Sequence, residues 1–307
     1  MWRRKGMALV CLVIVLLAIK VLAATFVTDR LLQDKVALLY LVVIFLGSLI
    51  IVGGSKGVKT IVTLTITVLL ILKVLLPLIL AGYNPALVAI LICEIITVMA
   101  LLFVSGFNHK TLAAIIGTSG GIGIAGLLAF AIGSMAHLTG LGNDEAIHLI
   151  LYSRQLDFKG LLFAGIIIGA MGAVMDVGIS ISSSIHEIKT NNPGMTMGSL
   201  MSAGMNVGRD IMGTMSNTLI LAYAGSSLNL LLLFTTYEIP FNEIIGRDNL
   251  AAEIVRALAG SVGLIATIPL TALIAAMLAE KSSRRTCVAC RTITRWINNP
   301  FKQKQNR

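Results

Sequence analysis

Charge is what this sequence lacks. Of 307 residues only 12% are Asp, Glu, Lys or Arg, whereas 57% are hydrophobic and the mean hydropathy is +0.93. No single soluble core buries that much apolar surface, so the composition points to an all-α, polytopic membrane protein. Cysteine is scarce too: four residues, too few and too scattered, exclude a disulfide scaffold. Cys11 and Cys93 lie in apolar runs as small hydrophobes. Cys287 and Cys290 form a lone C-x-x-C in a basic tail, without the second pair or nearby His of a zinc site, and juxtamembrane acylation suits them better. There is no H-E-x-x-H, no G-x-S-x-G and no G-x-x-x-x-G-K-[ST], so the chain spells out no zinc protease, serine hydrolase or nucleotide site. The expectation is a protein that is not an enzyme and that uses no metal and no cofactor.

The charges that exist lie where a membrane would put them. Apolar runs predict about eight spans, near 7–27, 36–53, 60–80, 86–105, 111–137, 160–184, 203–224 and 256–279. With both termini in the cytoplasm, fifteen Lys and Arg fall on the cytoplasmic side and six on the other, where nine acids gather. That asymmetry fits the positive-inside rule and an even number of spans. The expected organisation is an N-terminal anchor span over 1–30, a transmembrane domain over 31–280 with its site region at 160–224, and a basic cytoplasmic tail over 281–307. Ala23-Ala24-Thr25 is a poor cleavage site, so the first span reads as an uncleaved anchor. The tail suits anionic lipid headgroups, and its two aromatics, Trp296 and Phe301, supply no nucleic-acid motif. Residues 226–253, too mixed to cross, read as a segment near the outer interface capped by Pro240.

Inside the spans the few polar residues are patterned. Asp176, Ser180, Ser183 and Glu187 recur at helical spacing in span 6, and Asn206, Arg209 or Asp210, Gly213 or Thr214, and Asn217 do so in span 7. An ionisable group at mid-membrane costs about 2.5–3.5 kcal/mol even on lenient scales, so it persists where it is paired or wet. Counting from the short turn between these spans sets Asp176 level with Thr214 to Asn217. The same count sets Arg209 and Asp210 near Glu187 and Lys189 at the cytoplasmic side. Asp176, Ser180, Thr214 and Asn217 are therefore the candidate ion, proton or substrate path. Glu187, Arg209 and Asp210 form a candidate cytoplasmic-side charge cluster. Lys73 and Glu94, each about eight residues from the A-G-Y-N-P turn at 81–85, are a candidate buried ion pair. Gly117 and Gly121, four apart in span 5, fit close helix packing, and Gly165, Gly169 and Gly172 predict that the Asp176 face is a packing face as well. Two aspartates on adjacent spans invite comparison with intramembrane aspartyl proteases, but neither lies in a G-x-G-D sequence and their depths differ.

The run M-D-V-G-I-S-I-S-S-S-I-H-E-I-K-T-N-N-P followed by S-A-G-M-N-V-G-R-D-I-M-G-T-M-S-N-T-L-I-L-A-Y-A-G-S-S-L resembles the YibE/YibF family of bacterial membrane proteins. So do L-A-G-Y-N-P at 80–85, S-G-F-N-H-K at 105–110, A-H-L-T-G-L at 136–141 and R-A-L-A-G-S-V-G-L-I-A-T-I-P-L-T-A-L at 256–273. The resemblance covers about residues 36–280. It implies a permease-like protein of the cytoplasmic membrane, similar to the short form of the family, working alone, as a homo-oligomer, or beside a longer YibE/F-like subunit. Residues 170–280 also look like half of an RND-type or SecD/SecF permease, in which acids in the matching spans are associated with proton movement. The matched acid is Asp176, whereas Ser216 and Asn217 stand where some relatives carry a second one. Two functions follow as expectations. One is a secondary-active permease with a proton- or cation-responsive Asp176; the other is a non-transporting assembly subunit in which Asp176 and Asn217 hydrogen-bond across a helix pair for about 0.6–2 kcal/mol.

Overall fold

Apolar runs bounded by Asn, Pro, Gly and charged residues become helices in the computed structural model, which describes residues 30–142, 146, 148–150, 156–237 and 246–298, with side chains placed between 37 and 280. In chain order they are α1 (Arg30–Gly53), α2 (Ser55–Leu80), α3 (Pro85–Ser105), α4 (His109–Met135), α5 (Phe158–Asn191), α6 (Met197–Ser226), α7 (Leu228–Thr236) and α8 (Asp248–Asn298). Among the described residues there is no strand. Among the described residues five helices are long and apolar enough to cross a membrane: α2, α3, α4, α5 and the Asp248–Glu280 part of α8. A sixth joins them if α6 and α7, bent by 59° at their junction, make one broken span. In α1 a shorter apolar stretch runs over Ala37–Gly53. Each predicted span from 36–53 onward overlaps one of these helices. The expected anchor at 7–27 lies outside the described residues, as do Pro240 and the side chains of the basic tail, Cys287 and Cys290 among them.

The chain divides into two units, Met1–Leu69 and Leu70–Arg307. In the first, α1 turns into α2 at Gly54, whose φ of 55° suits a residue without a Cβ. Beyond it Gly57 lies against the Leu49 carbonyl, where a Cβ would not fit.

The second unit opens with an irregular helix. Pro77 has no N–H to give the Lys73 carbonyl and its ring crowds that oxygen, so the backbone widens into a π turn over Ile71–Leu75, with the Leu76 N–H bonding to the Ile71 carbonyl. After the turn Asn84 caps α3, its side chain accepting from the N–H groups of Ala86 and Leu87 at 3.1 and 3.2 Å. At the centre α4, α5 and α8 pack together, burying Ile122, Val174, Val177, Ile181, Leu264 and Ile268. In lipid the burial of apolar groups drives little, so what counts is how closely the backbones approach. Gly121 sits under the Thr267 hydroxyl and Val174, Gly117 under Thr271, and Gly178 under Thr118. Helix packing by Gly117 and Gly121 is thus realised against α8. Thr267 returns its hydroxyl to the Gly263 carbonyl at 2.9 Å. The hydroxyls of Thr118 and Thr271, equally buried, have no hydrogen-bond partner among the described residues.

Helix ends are tied by polar groups. Lys189 Nζ donates to the carbonyls of Pro193 and Met195, both at 2.8 Å, closing the α5–α6 turn. At the opposite end Thr139 donates its N–H and hydroxyl to the Asp248 carboxylate at 3.1 and 2.6 Å, and Asp157 caps α5 by accepting from the Gly160 N–H at 2.8 Å. The outward faces of α3, α4 and α8 are those that hydrocarbon solvates: Leu91, Leu127, Phe130, Leu258, Val262 and Met277 are all exposed. On α5, and on α6 as far as Thr218, the outward faces are polar or small, and beyond them Ile220 and Leu221 are exposed.

Candidate functional site

The depth of each polar residue follows from the contacts of α5 and α6 with α8. Gly178 lies beside Thr267, Ala170 beside Gly260, Gly208 beside Ile268 and Gly204 beside Ala272. The membrane-length part of α8 is Asp248–Glu280, so its middle is near Leu264. Asp176, Arg209 and Asp210 all fall within about one helical turn of that middle.

Between α5 and α6 the register is equally clear. Ile185 meets Gly204 and Ile181 meets Gly208, four residues along each helix in opposite directions. One further step brings Val177 opposite Met212 and Asp176 level with Gly213. Arg209 then stands level with Ser180, about seven residues from Glu187 and so roughly 10 Å away along the axis. The expected cytoplasmic-side cluster of Glu187, Arg209 and Asp210 therefore does not form. Its members have other arrangements: Arg209 Nη1 donates to Asn206 Oδ1 at 3.1 Å, Glu187 Oε1 accepts from Asn191 Nδ2 at 3.4 Å, and Asp210 is exposed. The reason is that α6 begins at Met197, which puts Arg209 twelve residues, roughly 18 Å, into the helix.

Asp176 and Ser180 both face outward from the bundle. Among the described residues no hydrogen bond or ion pair reaches the Asp176 carboxylate, while the Ser180 carbonyl accepts from the Ser184 hydroxyl at 2.8 Å. The space beside Asp176 is open, because a Cβ added at Gly172, one turn away on the same face, would meet nothing within 4 Å. The expectation that the whole Gly165–Gly169–Gly172 face is a packing face is corrected accordingly. Close packing on α5 also falls on the opposite flank, at Gly178; on the Asp face Gly172 meets nothing, a Cβ at Gly165 would stand 3.9 Å from Arg256 Nη2, and Gly169 meets the Tyr223 hydroxyl.

That contact identifies which side of α6 lines the Asp face. Gly169 and Asp176 are seven residues apart, as are Arg209, Ser216 and Tyr223, and residues seven apart share a helix face to within about 20°. Where Tyr223 crosses Gly169, two faces meet; toward the α5–α6 turn the same two faces carry Asp176 and Ser180 on one side and Ser216 and Arg209 on the other. The Ser216 hydroxyl is buried and has no partner among the described residues. Thr214 and Asn217 go elsewhere. They lie about 120° and 180° round α6 from Gly208, both exposed, with the Thr214 hydroxyl donating to the Ile211 carbonyl at 2.9 Å. The expected grouping of Asp176 and Ser180 with Thr214 and Asn217 is thus divided between two faces.

At the end of the line beyond Tyr223 stands an ion pair that sequence reasoning assigned only to an outer loop. Arg256 Nη1 bonds Glu253 Oε1 at 2.6 Å, both side chains mostly buried, and the guanidinium sits 5.9 Å from the centre of the Tyr223 ring. The spacings E-x-x-R and Arg209–Ser216–Tyr223 were the signals for these residues.

Lys73 and Glu94 do not pair either. Lys73 is exposed in the π turn, and Glu94 Oε2 accepts from the Ser119 hydroxyl on α4 at 2.5 Å. Counting residues back from the 81–85 turn presupposes a regular helix. The extra residue in the π turn shifts the helical phase of Lys73 relative to the last turn of α2. Among the described residues no group of three or more His, Cys, Asp or Glu is placed to hold a metal ion.

The family model for YibE/F-like proteins matches residues 41–281, most of the chain and every helix from α2 to α7. No curated protein and no solved structure matches the sequence.

Proposed function

The chain belongs to the YibE/F family, and from that membership we propose that it is a secondary-active permease of the cytoplasmic membrane, with about eight spans and both termini in the cytoplasm. In this reading Asp176 takes up and releases a proton or cation at mid-depth. Ser180, Ser216 and Arg209 line its path toward the α5–α6 turn, and Tyr223 with the Glu253–Arg256 pair lines the path toward the other end. The likeness of residues 170–280 to half of an RND or SecD/SecF-type permease belongs to this proposal. So does the attraction of the basic tail to anionic headgroups. The observation that carries the reading is the position of Asp176: mid-depth, without a polar partner among the described residues, beside open space at Gly172. A carboxyl group is not left so in a membrane unless water or an ion reaches it.

One observation favours the alternative, a non-transporting subunit that assembles with a longer YibE/F-like protein: the polar faces point out of the single-chain bundle. The two are separated by placing Gly172→Cys in a variant free of the natural cysteines and labelling it with membrane-impermeant thiol reagents from each side. For a permease, the ratio of labelling from the two sides changes with pH, and Asp176→Asn freezes it. Taking the ratio cancels the thiol's own titration. A ratio that is constant with pH in both backgrounds contradicts the transport reading.

A further inference from the structure

We infer that the outward face of α6 is a two-fold interface with a second copy of this chain, its seam running through Asn206, Asp210, Gly213 and Asn217. The inference rests on that face alone and not on Asp176, so it stands or falls separately from transport.

The four residues recur at steps of four, three and four, the spacing of a helix–helix seam, and all four are exposed. Hydrocarbon does not solvate them, whereas it does solvate the outward Leu, Val and Phe of α3, α4 and α8. Gly213, with nothing within 4 Å of where its Cβ would be, permits a second backbone to approach closely.

Charge identifies the occupant. Arg209 and Asp210 are neighbours in sequence and project about 100° apart, so they do not face each other on their own helix. Among the described residues Asp210, like Asp176, is a carboxylate near mid-depth without a donor, whereas Glu94 has Ser119 and Glu253 has Arg256. Two copies related by an axis along the membrane normal meet at equal depths. In such a parallel pair a seam residue packs into a hole that includes the residue just before its counterpart. Asp210 of each copy therefore meets Arg209 of the other, giving two reciprocal pairs and a ring of zero net charge. Arg209 stands at the edge between the α5-facing side and the seam, and its bond to Asn206 Oδ1 at 3.1 Å holds it toward the seam. Asn206 and Asn217 each carry a donor and an acceptor, so they are self-complementary across the axis.

The test is cross-linking in native membranes, in the full chain with Cys11, Cys93, Cys287 and Cys290 replaced. Gly213→Cys and Asn217→Cys are compared with Leu127→Cys, an outward apolar position on α4 that is 69% exposed. A covalent dimer from 213 and 217, about tenfold above that from 127, is expected. Reversing one charge, Arg209→Asp or Asp210→Arg, should reduce the yield about tenfold, the equivalent of ~1.4 kcal/mol. The double reversal should restore it. Cross-linking at 213 and 217 no greater than at 127 overturns the inference without any charge change being needed, and means that water or a different protein covers this face. Single reversals that leave the yield intact, or a double reversal that stays as low as the singles, also overturn it.

Discussion

Gly178 fits tightly beside the candidate site, and it makes a sharp prediction. It lies two residues beyond Asp176 on the buried flank of α5, where an added Cβ would stand 2.5 Å from Thr118 Oγ1 and 3.4 Å from the Ala114 carbonyl oxygen. The first is closer than real Cβ contacts come. Because the Thr118 side chain is short and itself packed, α5 must shift or rotate. Overpacking of this kind costs about 1–3 kcal/mol. Gly123→Ala is the control: its Cβ would meet nothing within 4 Å, and helix propensity alone favours Ala by up to about 1 kcal/mol. Thr118→Ala removes the obstructing oxygen together with a methyl group. In combination with Gly178→Ala it should recover about 1–2 kcal/mol relative to the sum of the single changes, the sign of a direct contact. Reversible unfolding in mixed detergent micelles reads all four variants. The packing argument fails if Gly178→Ala is as stable as Gly123→Ala, or if the two changes at 118 and 178 prove additive.

Other predictions concern individual groups. Thr271→Val replaces a buried hydroxyl that has no partner among the described residues by a methyl of similar size, so the same assay should show no loss and a gain of up to about 1 kcal/mol; a loss above that amount would mean the hydroxyl is satisfied. Lys73→Ala and Glu94→Gln should show no coupling in a double-mutant cycle, because Lys73 is exposed and Glu94 is held by Ser119. By contrast, Glu94→Gln and Ser119→Ala should couple by about 0.5–3 kcal/mol. Lys189→Ala removes both donors to the α5–α6 turn and should speed amide hydrogen exchange over 192–196 while leaving the centre of α4 unchanged.

The membrane helices could be read from the sequence because a run of some twenty apolar residues has few other uses. Gly117 and Gly121 were legible for a related reason: small residues four apart on an apolar helix serve close approach. The Asp176–Ser180–Glu187 face was legible from its period. Its partner face was not. At 100° per residue the polar residues 206, 209, 210, 214 and 217 cover an arc of about 140° on α6, and their period does not say which edge of that arc meets α5. That choice is made by Gly204 and Gly208, which seat α6 against Ile185 and Ile181, and it selects Ser216 and Tyr223 over Thr214 and Asn217. The missed depth of Arg209 came from placing the start of the helix six residues late. The Lys73–Glu94 pair failed because Pro77 forces a π turn, which counting residues does not foresee.

Whether water reaches the middle of the α5–α6 groove is the most direct question to put to this account. Single cysteines at 172, 176 and 180 would be exposed to a membrane-impermeant thiol reagent, beside 177 and 181 on the buried flank of the same helix. The account predicts labelling at the first three and none at the last two, with folding confirmed by retained resistance to detergent unfolding. If the folded protein resists labelling at 172, 176 and 180 as fully as at 177 and 181, the groove is sealed and the path through Asp176 does not exist.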